Sequence, residues 1–184
     1  MTQGGTISSS ITLMIADAAR NYTLPVDVLV ALVLVESSGN PWAYNPEPHY
    51  RYLVDVRTGK PFRPLSVSEI ASERPPDDFP SLPGVPRDAE WWGQQASWGL
   101  LQVMGAVARE NGFSGKFLTE LCDPWTGLDY GARHLRHQLN RYGDLRDAVV
   151  AYNTGNAVKD ASGTYSAAGV TYLAKVENRR EKSV

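Results

Sequence analysis

The stretch Val28 to Asn45, VLVALVLVESSGNPWAYN, constrains this chain more than any other. A run of aliphatic residues ends in one carboxylate, Glu36. Small and turn-forming residues follow at once: Ser37, Ser38, Gly39, Asn40 and Pro41. Pro25 suits the first helical turn, because its missing N–H would lack a partner there in any case. Gly39 and Pro41 stop the helix. Val28, Leu29, Leu32, Val33 and Val35 leave almost no polar face, so a buried helix is predicted. Glu36 then sits at its C-terminal end. The negative end of the helix dipole and the apolar neighbours both disfavour the ionised carboxyl. A carboxyl kept protonated near neutral pH can serve as a general acid. A lone glutamate at a helix end is ordinarily just solvated; the rest of the chain decides between the two.

The length of 184 residues predicts one domain over 1–184 with a sizeable core. An apolar fraction of 42% and a charged fraction of 21% are those of an ordinary globular chain. A net charge of -2 supplies no basic field for nucleic acid or an anionic membrane. With one cysteine, Cys122, no internal disulfide can form, and a small buried residue is expected there rather than a nucleophile. The opening MTQGGTISSS shows no basic segment before an apolar run, so no signal peptide is expected from it. The longest apolar run is too short to span a bilayer.

Taken in order, residues 1–10 look like a flexible leader. A first helix is predicted over Ile11–Arg20 with Ser10 as its cap. The buried helix follows. Between 45 and 95 prolines are dense, which prevents long helices and marks an insertion within the domain. Tyr50–Phe62 alternates around Thr58-Gly59, so a short β-hairpin is predicted inside it. Leu65–Glu73 is expected to hold one short helix. Further helices are predicted over Leu100–Asn111, from Pro124 to Gly143, over Leu145–Asn153 and over Val170–Arg180, with a short turn at Lys116–Leu121. Asp123 and Asp144 are the expected caps of the second and third of these helices. The fold class is mainly α, with a small β component.

Four separated pieces then line up: ESSGNPWAYN (Glu36–Asn45), SWGLLQVM (Ser97–Met104), AYNTG (Ala151–Gly155) and TYLAKV (Thr171–Val176). Together, from about residue 11 to 178, they resemble the soluble lytic transglycosylase family, whose catalytic domains have a lysozyme-like (α+β) fold. The resemblance is closer to a phage-encoded peptidoglycan-degrading enzyme than to a large periplasmic one. It implies that Glu36 is the catalytic acid and base. It places Tyr152 as a second catalytic residue, and Asn45, Ser97, Gln102, Met104, Asn153 and Tyr172 as substrate contacts. Asn45 stands where the family often has Ser, Leu101 replaces a Met, and Trp98 occupies a position that favours small residues. The acid that often precedes the last-helix tyrosine is absent near Ala168.

Glycosidases commonly use two carboxylates, whereas the four pieces contain one well-placed acid. A lytic transglycosylase needs no more. The implied substrate is the peptidoglycan glycan strand, cut between N-acetylmuramic acid and N-acetylglucosamine with a 1,6-anhydro end and no cofactor or metal. The resemblance also implies a monomer acting on the bacterial cell wall, without nucleic acid or membrane insertion. The insertion offers other acids, among them Glu47, Asp55 and Glu90. Glu90, beside Trp91-Trp92, would make the enzyme a hydrolytic muramidase if it positioned water. A non-catalytic wall-binding or virion structural module is the third reading. Tyr152 could instead be packing, Gln102 part of a structural network and Met104 core. Trp42, Trp91 and Trp92 could stack on sugars or fill the core. His134 and His137 lie three apart with no third ligand, which does not make a zinc site.

Overall fold

A computed structural model describes residues 7–182. The predicted leader therefore lies largely outside the described residues. The chain is mainly helical with small sheets. Among the described residues, its internal contacts divide it into two compact units, residues 7–39 with 131–182, and residues 40–130.

The first unit is helical. It holds α1 (Ser9–Asn21), α2 (Val26–Glu36), the later turns of α6 (Pro124–Tyr142), α7 (Leu145–Thr154) and α8 (Ala167–Glu181). Ser8, not Ser10, caps α1, its hydroxyl accepting from the Ile11 N–H. Ser10 lies inside the helix, one residue past the start. Helix α2 is buried as predicted: Val28, Leu29, Ala31, Leu32 and Val33 have no exposed surface. It packs against α1 and α8, and α8 packs against α7. Pro25 is its N-cap. The helix stops where Val33 O accepts from the Ser37 N–H and hydroxyl, and Ser38 and Gly39 turn left-handed. Asp144 caps α7 as expected, accepting from the Arg146 and Asp147 N–H groups. The last helix begins three residues earlier than predicted, at Ala167, because Ser166 supplies its cap.

The second unit carries the sheets. Strands β1 (Tyr44–Pro46), β4 (Ala96–Trp98) and β5 (Val103–Met104) form an antiparallel sheet in the order β1-β4-β5. Strands β2 (Val54–Asp55) and β3 (Lys60–Pro61) form the predicted hairpin, turned through Thr58 and Gly59. Helices α3 (Val67–Ile70), α4 (Arg87–Gln94) and α5 (Gly105–Glu110) and a 3-10 turn at Leu118–Cys122 complete it. Helix α3 spans less than half of the stretch expected for it. The stretch 45–95 is ordered structure: Leu53, Phe79 and Trp91 form a core with Ala106, and Tyr50, Phe62 and Leu65 pack against it. Trp91 is therefore core, while Trp42 is 74% exposed. Cys122 is buried, and burial pushes its thiol pKa up.

One predicted helix is corrected. Leu100–Asn111 is not continuous: Gly99–Gln102 is a turn, Val103–Met104 is strand, and helix begins only at Gly105. Two left-handed residues make the turn, Gly99 at φ 71° and Gln102 at φ 45°. Gly99 also lies against the chain, since a Cβ there would stand 2.3 Å from Leu121 O. Gly99→Ala should destabilise this unit by about 2–3 kcal/mol, from left-handed strain and the clash together. Urea unfolding monitored by tryptophan fluorescence checks this.

Candidate active site

Helix burial and helix ends build the first unit's site. Glu36 is half-buried at the last residue of α2. The Tyr172 hydroxyl, from α8, donates to Glu36 Oε1. Tyr172 is buried; burial, then the negative charge of Glu36, raise its pKa far above that of an ordinary phenol. It is thus held as a neutral donor. Tyr152, on α7, is half-buried, and burial followed by the Glu36 charge raises its pKa in the same way. Three helices far apart in sequence therefore bring a carboxyl and two phenols into one electrostatic group. Asn153, next on α7, is exposed.

His134 extends this group. Its ring, on α6, lies 5.1 Å from that of Tyr152, tilted by 53°. Its Nδ1 is buried with no hydrogen-bond partner. Burial, then the charge of His137, push its pKa down from 6.5 to about 4. A group depressed in this way takes up its proton more readily in the unfolded chain. Stability is full above pH 6.5 and falls as the pH drops towards 4. The expected loss over that window is about 1–3 kcal/mol. Thermal unfolding across it should show a shallower fall for His134→Phe than for the parent; equal slopes would assign the effect to other groups.

The second unit collects the other predicted contacts on its three-stranded sheet. Asn45 pairs with Ser97, and Ser97 with Met104, so their side chains share one face. The Ser97 hydroxyl lies 3.0 Å from Glu47 Oε1 and 3.1 Å from Met104 Sδ. It has one proton, and the carboxylate is the stronger acceptor. Gln102 sits in the turn, not on a helix. Its Nε2 donates to Ala43 O and Gly99 O, each at 3.0 Å, so both amide hydrogens staple the turn and its carbonyl oxygen remains an acceptor.

Glu90 is corrected as a water-positioning candidate. It is 1% exposed on α4. Its Oε1 accepts from Arg109 Nε at 2.9 Å and Gln94 Nε2 at 2.9 Å, and its Oε2 from Arg109 Nη2 at 2.7 Å. The carboxylate is shut away from solvent and ties α4 to α5 through Arg109. The sequence reading missed three things: the bond from Tyr172 to Glu36, the place of His134 beside Tyr152 and the bonds from Ser97 and Asn45 to Glu47. The helical positions of Glu36, His134 and Tyr172 were legible, but the partners that folding brings to them were not. Among the described residues, no group of three or more His, Cys, Asp or Glu could hold a metal ion. No helix among them is long and apolar enough to cross a membrane.

Fold and site together define a helical protein whose buried helix ends in a glutamate held by a tyrosine. The model of the Transglycosylase SLT domain family matches residues 13–173, and the chain belongs to that family. It is 38% identical over 72 residues to a protein called "Transglycosylase" from Enterobacteria phage PRD1. That match takes in 39% of this chain and 24% of the relative, so the chain spans about a quarter of the relative's length. The phage source of that relative agrees with the character read from the motifs. No solved structure matches the chain.

Proposed function

We propose that this chain is a peptidoglycan lytic transglycosylase with a lysozyme-like catalytic domain, in which Glu36 is both acid and base. The observation that carries the reading is the Tyr172 hydroxyl bonded to Glu36 Oε1 at the end of a buried helix, in a chain of this family. Glu36 gives its proton to the glycosidic oxygen between N-acetylmuramic acid and N-acetylglucosamine as the bond from C1 to that oxygen breaks. The substrate's own N-acetyl carbonyl stabilises the cation at C1. The carboxylate then takes the proton of the 6-hydroxyl as O6 bonds to C1. A 1,6-anhydro ring closes, Glu36 is protonated again, and no water is consumed. Tyr152, neutral beside Glu36, orients the N-acetyl group or meets the developing charge. Asn45, Ser97, Gln102 and Met104, with Asn153, are the proposed contacts to the glycan. The protein acts as a monomer on the bacterial cell wall.

Mass spectrometry of the muropeptides released from purified sacculi tests this. Products ending in 1,6-anhydromuramic acid are expected. Reducing muramic ends, one water heavier, would make the protein a hydrolase, and new N-acetylglucosamine reducing ends would overturn the bond assignment. If intact protein clears no cell wall while still binding it, the wall-binding module is the correct reading.

A further inference from the structure

We propose that Glu47 is a substrate-binding and specificity-determining residue, which accepts a hydrogen bond from an N-acetylhexosamine ring of the glycan. The inference rests on the glycan-cleaving reading above and names a contact that neither the motifs nor the family match singled out.

Glu47 follows β1, two residues beyond Asn45, so both side chains lie on the same face of the sheet as Ser97 and Met104. Its backbone is pinned on both sides: the N–H donates to Gln95 O at 2.7 Å, and the carbonyl accepts from the Tyr50 N–H at 2.9 Å. The side chain is half-buried. Oε1 accepts from Ser97 Oγ at 3.0 Å and from Asn45 Nδ2 at 3.3 Å. Oε2 has no hydrogen-bond partner among the described residues. One oxygen is thus spent on fixing the carboxylate, and the other is presented from a rigid sheet edge as a preorganised acceptor.

The chemistry of this face selects the ligand. A carboxylate acceptor favours a ligand rich in donors and disfavours an anion. Asn45 keeps its amide oxygen, and the Met104 thioether gives a flexible apolar surface beside the polar pair. Hydroxyls and an N-acetyl amide N–H on a mostly apolar ring match that mixture. The three neighbours that fix Glu47 or line its face are themselves the proposed glycan contacts. Four other acids of the stretch 45–95 are instead paired with arginines: Asp55 with Arg57, Asp78 with Arg63, Asp77 with Arg87 and Glu90 with Arg109.

The test measures binding of a peptide-free N-acetylglucosamine oligomer by isothermal titration calorimetry, in a Glu36→Gln background that prevents turnover. Glu47→Ala should weaken binding about tenfold, the loss expected for one hydrogen bond to a charged acceptor. Glu47→Gln, which keeps an acceptor oxygen and the shape, should weaken it less. Both should unfold at temperatures close to the background protein; if Glu47→Ala does not fold, Glu47→Gln together with Glu47→Asp decides. Equal affinity in the folded variants overturns the role of Glu47 while leaving the enzyme reading intact. Loss confined to peptide-bearing fragments, with the oligomer unaffected, also overturns it and makes Glu47 a contact to the stem peptide's amine. If the background protein binds no oligomer at all, the role of Glu47 falls. Anhydro products from sacculi would still stand for the enzyme reading in that case, and their absence would remove both.

Discussion

Glu36→Gln is expected to lower muropeptide release from purified sacculi by about a thousandfold or more, within the range for loss of a general acid that is also the base. Glutamine keeps the shape of the side chain and an oxygen for the Tyr172 hydroxyl to bond. It has no proton to give and no carboxylate to take one back. The fold should be little affected, because the buried phenol keeps an acceptor. Glu36→Ala makes the useful contrast. It strands the Tyr172 hydroxyl in a buried setting, which costs about 1–3 kcal/mol in stability as well as activity. Release assays and thermal unfolding on both variants separate the two effects. Near-parental release by Glu36→Gln would take Glu36 out of the mechanism.

Glu90→Ala is expected to cost about 3–5 kcal/mol, the penalty for leaving a buried charge without its partner. Arg109 and Glu90 side chains are each 1% exposed, and two parallel N–H bonds join them. Arg109 Nη1 would keep its bonds to Phe113 O and Gly115 O, at 2.9 and 2.7 Å. Its Nε and Nη2 would have no acceptor. Removing both charges with Glu90→Leu and Arg109→Met should be far milder than either single change, since the desolvation cost disappears with the pair. Urea unfolding of the two single variants and the double variant checks this. Activity discriminates further: Glu90→Gln, assayed where it is folded, should release muropeptides at close to the parental rate. A loss as deep as that of Glu36→Gln would restore Glu90 to the chemistry.

Local chemistry made much of the architecture legible. Asp144 marks the start of its helix because a cap acts within one turn, whereas Ser166, the cap of the last helix, was passed over. The all-round apolar pattern of Val28–Val35 announced a buried helix because no solvent-facing stripe exists. The Thr58-Gly59 hairpin was legible from its turn residues. The Gly99–Gln102 turn was not. Its apolar run has the composition of a buried helix, and only the packing against Leu121 O shows that residue 99 must lack a Cβ.

Legible in the sequence were most of the longer helices, the β2–β3 hairpin, the helix that ends in Glu36 and the family pattern that gathers the candidate residues. Which partners each acid meets is decided by the tertiary structure. Glu36, Glu47 and Glu90 are chemically the same side chain. One meets a tyrosine 136 residues away, one a serine 50 residues away and one a buried arginine 19 residues away. A carboxylate's protonation, exposure and remaining acceptors are set by the groups within a few ångströms. Folding chooses those neighbours across distances that no local pattern records.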